Sequence, residues 1–131
     1  MERNRHHIWW EHREYKRNHV LTALRSHRGF IIPARVIDHR DLHHNLNPGP
    51  PKPTREQAIE LLDSLGEFQP MRGRLSAVFF AIEYFNEAAY QEGPTSRNAR
   101  EIAQHLQTQV HFLSRPWETA QYECESQMDR S

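Results

Sequence analysis

Apolar residues recur every three or four positions through residues 54–113, a spacing that places their side chains on one face of a helix. The pattern predicts helices over 54–65 and 74–91, and a third that starts at Thr95 or Ser96 and ends near residue 113. Thr54 and Gln57 form a capping-box pattern at the first start. The middle helix is apolar around most of its circumference and is expected to lie centrally. Together these helices predict a three-helix unit, most simply an up-down arrangement.

The first third of the chain shows shorter and mixed patterns. Residues 6–10 predict an extended piece, and a helix follows near residues 11–26. Residues 30–37 are rich in β-branched side chains but contain Pro33, which favours a short edge strand. Asp38 is expected to cap a short helix over residues 39–45. Residues 47–53 form a proline-rich connector, and residues 114–131 a polar tail, so we expect one domain over 1–131 with residues 1–46 as its first part.

Composition narrows the class of protein. The chain has 131 residues, enough for one domain, and a mean hydropathy of −0.90. Its single cysteine, Cys124, excludes an internal disulfide and a cysteine-based zinc finger. No apolar run is long enough for a membrane span or a signal peptide, so we expect a cytoplasmic location, in the host cell if the chain is phage-encoded.

Net charge is zero but unevenly distributed. Residues 1–52 hold ten basic and five acidic residues, whereas residues 53–131 hold seven and twelve. The basic part predicts a surface for a polyanion; the alternative is two halves that attract each other.

Histidines carry most of the chemical information. Eight of the ten lie in the first 44 residues, including the pair His6-His7 and the spacing of His39 and His43. Two histidines four positions apart share a helix face and can bind one divalent ion. Histidines also cap helices, pack against aromatic rings or stay solvated, so a purely structural role is the alternative.

These features resemble the HNH (His-Me finger) nucleases over about residues 3–45, in particular the colicin type. The resemblance implies that His6, His39 and His43 are metal ligands and that His7 is the catalytic general base. It implies a divalent ion as cofactor, with zinc, nickel, magnesium and manganese as candidates. Residues 19–38 contain no asparagine, although the family places one shortly before the metal-binding helix.

The predicted fold is therefore α+β, mainly α, with a small ββα-like N-terminal module packed on the three-helix unit. The predicted function is metal-dependent binding of nucleic acid, DNA rather than RNA, with phosphodiester cleavage as the implied activity. The chain also resembles small proteins of actinobacterial phages. The alternative function is a non-enzymatic protein that binds a host protein through its acidic helical half, and a homodimer is a further candidate state.

The predicted nucleic-acid contacts are basic residues near the histidines: Arg5, Arg13, Lys16, Arg17, Arg25 and Arg28. Trp9 and Trp10 are either a stacking surface for bases or part of the core.

Overall fold

The computed structural model describes residues 3–11, 13–66, 74–91 and 96–129, and it confirms a mainly helical α+β fold with a small N-terminal sheet. Within those ranges no helix is both long and apolar enough to cross a membrane. In chain order the elements are strand β1 (Arg3–His7), helices α1 (Arg13–Lys16) and α2 (His19–Ser26), a 3-10 turn (Arg28–Phe30), strand β2 (Ile31–Arg35) and helices α3 (Val36–Leu46), α4 (Arg55–Leu65), α5 (Ser76–Tyr90) and α6 (Ser96–Asp129).

The two strands and α3 form a ββα unit. Strand β1 runs antiparallel to β2, with His6 opposite Ile32 and Arg5 opposite Pro33. In a two-stranded sheet both strands are edges, so the missing N–H of Pro33 is tolerated and the predicted edge strand is confirmed. Helix α3 follows β2 directly and packs against both strands. Helices α1 and α2 are inserted between the strands.

In the N-terminal part, two helix boundaries differ from the sequence prediction. The helix expected over residues 11–26 is broken at Asn18, whose side chain accepts hydrogen bonds from the amides of Val20 and Leu21 and so starts α2. Helix α3 begins at Val36, with Arg35 as its N-cap residue. Asp38 therefore does not cap the helix. It lies buried in the first turn, 3.5 Å from the Arg35 guanidinium, where a carboxylate is favoured by the helix dipole.

The C-terminal helices follow the apolar pattern closely at their starts. Thr54 and Gln57 form the predicted capping box, with hydrogen bonds of 3.1 and 2.9 Å. Helix α5 packs against α4 and α6 but leaves Phe79 and the end residue Tyr90 exposed, so it is less enclosed than its composition predicted. Helix α6 continues to Asp129, whereas the sequence predicted a polar tail from residue 114. The segments that join these three helices, residues 67–73 and 92–95, lie outside the described residues.

One apolar cluster joins the ββα unit to the helices. The ring of Trp9 is fully buried, with the rings of Phe30 and Phe85 each 5.8 Å away between centroids. Trp10 is also buried, and Gly49 of the connector, with φ +98°, packs so closely on its ring that a Cβ there would lie 2.5 Å from it. Both tryptophans thus belong to the core, and the alternative of a stacking surface for bases is wrong.

Candidate metal centre

Three histidines converge where β1 meets α3, and we call them the histidine cluster: His6, His39 and His43. Each offers a ring nitrogen that lies within 4.8 Å of the nitrogens of the other two. The strand supplies one ring, and α3 supplies two rings from successive turns of the same face. The Nε2 atoms of His39 and His43 are 3.0 Å apart and share a hydrogen bond, so the two nitrogens lie close enough to contact one ion if that proton is released. The structure therefore brings together all three residues that the sequence proposed as ligands.

Burial keeps the cluster uncharged at neutral pH. The ring of His6 is completely buried, and that burial lowers its pKa from 6.5 to about 4, with smaller contributions from His39 and His43. Burial also lowers the pKa of His39, which is half-buried, and of His43, which is the most exposed of the three. A neutral imidazole keeps one lone pair, so all three rings are in the charge state that metal binding requires.

The donor set fits a borderline transition ion. Imidazole nitrogens suit zinc, nickel and copper better than magnesium, which prefers oxygen ligands. An ion held by three protein ligands would keep at least one coordination position for water or substrate, as catalytic rather than structural zinc sites do. Of the four ions that the resemblance implied, zinc and nickel therefore fit the three imidazoles better than magnesium and manganese.

His7 lies beside the cluster but in different surroundings. It follows His6 on β1 and is only half-buried. Burial lowers its pKa, and the charges of Arg25 and Arg5 lower it further, while Glu11 raises it. The charge of His7 in turn contributes to the lowered pKa of His39, after burial and His43. A neutral and accessible ring close to a metal centre is what a general base requires.

The predicted nucleic-acid contacts divide into two groups. Arg5 and Arg28 are exposed and line a groove of about 250 Å³ with Ile31 and Pro33, and Arg25 lies near His7. We call Arg5, Arg25 and Arg28 the basic rim. The other three are exposed on α1 and just after it and are not among the charges that act on His7: Arg13, Lys16 and Arg17.

The sequence did not predict three residues that contact the cluster or its neighbours: Asn4, His105 and Gln109. The side-chain amide of Asn4 contacts Nδ1 of His39 at 3.0 Å. Gln109 is fully buried and lies 2.6 Å from Nε2 of His6, and it also contacts His105 on its own helix. The available signal was periodicity, because Gln109 occupies an apolar position of α6, seven residues after Ile102 and four before Leu113.

Comparison with known proteins adds no relative: no family model, curated protein or solved structure matches the chain. The functional proposal therefore rests on the geometry and chemistry of the site.

Proposed function

We propose that this protein is a metal-dependent phosphodiesterase of the HNH type that acts on nucleic acid. The observation that carries the proposal is the convergence of His6 from β1 with His39 and His43 from α3, with ligand atoms within 4.8 Å. The resemblance stated from the sequence assigned these same three residues to the metal and the next residue, His7, to the base. A chance pair of histidine motifs has no reason to meet at one point in the fold.

The arrangement of elements supports the same function. The three ligands come from a strand and a helix of one ββα unit, and the inserted helices α1 and α2 leave that unit intact. This insertion accounts for the long separation between the two histidine motifs in the chain. The asparagine that the family places before the metal-binding helix has no equivalent in residues 19–38, and the asparagine that contacts His39 is Asn4 on the first strand.

The residues of this chain would divide the hydrolysis among them. His6, His39 and His43 would hold a divalent ion, whose positive charge would stabilise the charge developing on the phosphate oxygens. As the water oxygen bonds to phosphorus, His7 accepts the proton of that water, because its lowered pKa leaves the ring unprotonated at neutral pH. The P–O bond to the leaving oxygen breaks, and that oxygen takes a proton from solvent. Arg5 and Arg25 lie on the His7 side and bind the phosphate oxygens through paired guanidinium N–H groups. The basic rim thereby orients the scissile phosphate between His7 and the cluster.

The test is cleavage of supercoiled plasmid DNA with zinc, nickel, manganese or magnesium added to metal-free protein. We expect metal-dependent nicking, and we expect His7→Ala to lower its rate by about 10²–10⁴-fold, the usual contribution of a general base. Zinc affinity should stay unchanged in this variant. The exposed His19, changed to Ala, is the matched control and should keep full activity.

Two results would contradict the proposal. Nicking that survives His7→Ala at the wild-type rate would remove the assigned base. Absence of metal-dependent cleavage of both DNA and RNA by wild-type protein that binds zinc would leave a metal-binding protein without this activity.

A further inference from the structure

Gln109 is the centre of a closed hydrogen-bond network behind the histidine cluster. Its amide nitrogen donates to the carbonyl oxygen of Ile8 at 3.0 Å and lies 3.1 Å from Nδ1 of His105. Its amide oxygen accepts from the indole N–H of Trp10 at 3.4 Å and lies 2.6 Å from Nε2 of His6. The two donor and two acceptor positions of this side chain are thus all occupied.

The network fixes which atom of Gln109 is which. A backbone carbonyl only accepts, so the atom that contacts the Ile8 oxygen is the amide nitrogen. The contacts of His105 lead to the same assignment. Its Nε2 lies 3.2 Å from the carbonyl oxygen of Leu46 and must carry the ring proton. Its Nδ1 therefore accepts from the amide nitrogen of Gln109. The atom of Gln109 nearest His6 is therefore the oxygen.

This orientation determines the protonated nitrogen of His6. Because the Gln109 oxygen can only accept, Nε2 of His6 must carry the ring proton and donate it. A neutral imidazole has one such proton, so Nδ1 holds a bare lone pair. That Nδ1 atom is buried and, among the described residues, has no hydrogen-bond partner. A buried acceptor without a donor is costly, and a bound cation would satisfy it.

We propose that Gln109 is a positioning residue of the metal centre: by accepting the Nε2 proton of His6, it holds the Nδ1 lone pair of that ring ready for the ion. The inference rests on the proposed metal site and adds to it a contribution from α6. That helix lies outside the ββα unit that carries all three ligands, and it reaches the unit by packing against α3. Outer partners of this kind orient a ligand ring and strengthen its bond to metal.

The protonation state is measured first, on wild-type protein. Long-range proton–nitrogen NMR spectra of ¹⁵N-labelled, metal-free protein distinguish the two tautomers of each histidine. We expect His6 to carry its proton on Nε2, and zinc to shift its Nδ1 resonance. A proton on Nδ1, or zinc bound through Nε2, would overturn the inference. This measurement does not depend on any variant folding.

Zinc titrations of two variants then separate positioning from packing. Gln109→Leu and Gln109→Glu both lose the donors to Ile8 and His105, but only the glutamate keeps an acceptor for His6. We expect Gln109→Leu to weaken zinc binding by about 10–100-fold, the usual effect of losing an outer partner. Gln109→Glu should stay within a few-fold of wild type. The exposed Gln107, changed to Leu, is the matched control on the same helix and should have no effect.

The outcomes distinguish this inference from the proposed function. If Gln109→Leu keeps the wild-type zinc affinity, or if both Gln109 variants lose the same amount of affinity, the positioning role alone is overturned. Absence of any specific zinc or nickel site in the wild type overturns the proposed function as well.

Discussion

The histidine cluster and the basic rim lie close together but are built in opposite ways. The cluster is contacted from two elements and a loop: Asn4 on β1 contacts His39, Gln109 on α6 contacts His6, and Trp10, after β1, packs against His43 with 4.2 Å between ring centroids. The rim consists of long side chains, two of them exposed, on a strand, a helix and a turn. Metal ligands must meet at one point and gain from rigid support, whereas arginines act on phosphate over longer distances and tolerate freedom. We therefore expect substitutions to have large, local effects in the cluster and small, additive effects in the rim.

The strongest test of this comparison is removal of one ligand. His39→Ala should lower zinc affinity by more than the roughly 100-fold that the loss of an outer partner costs. His44→Ala, on the exposed side of the same helix, should leave the affinity unchanged. Isothermal titration calorimetry measures both. An equal loss in the two variants would show that histidine content, and not the cluster geometry, determines binding.

The next largest effect concerns pH and stability in the absence of metal. The folded-state pKa of His6 is about 4, below its ordinary value of 6.5, because the ring is buried beside His7, His39 and His43. Between pH 6.5 and 4 the unfolded chain binds a proton at this residue and the folded chain does not, so stability falls as the pH falls through that window. The titration of His6 lowers the free energy of unfolding by about 3 kcal/mol across this pH window.

Urea unfolding in the presence of EDTA, at several pH values, checks this prediction. Wild type should lose about 3 kcal/mol more than His6→Gln between pH 6.5 and 4, since glutamine does not titrate. Parallel pH profiles for the two proteins would show that His6 is not held neutral in the fold.

The smallest effect is expected in the rim. Arg28→Gln should weaken binding to a DNA duplex a few-fold and reduce the dependence of log affinity on log salt by about 1, the contribution of one phosphate contact. Zinc affinity should not change. Arg55→Gln, an exposed arginine on α4, is the control and should bind DNA like wild type. A loss of metal binding in Arg28→Gln would mean that the rim and the cluster are one structural unit.

The histidine cluster was predictable because its signal is local. The spacing of His39 and His43 places them on one helix face, and the family resemblance paired them with His6 across the ββα unit. The supporting residues were not predictable in this way. Gln109 meets His6 across 103 positions of sequence, and only the folded arrangement of α6 on α3 brings them together.

Helix boundaries were likewise predictable only where the signal is local. The capping box at Thr54 and Gln57 depends on residues three apart, and it fixed the start of α4 correctly. The break at Asn18 was missed because the apolar pattern continues across it, while the side chain of Asn18 caps the following helix. Asp38 was placed as a cap on its residue type alone. The chain enters the helix earlier, at Val36, directly from β2.

The contact between Gln109 and His6 also sets an order of events during synthesis. A ribosome translates the strand that carries His6 103 residues before it reaches Gln109. Until α6 has emerged and docked, nothing from that helix selects the protonated nitrogen of the first ligand. On the proposed role of Gln109, high-affinity metal binding would therefore be a late event in the life of the nascent chain, and a polypeptide that stops before α6 would carry His6, His39 and His43 without the contact that orients His6.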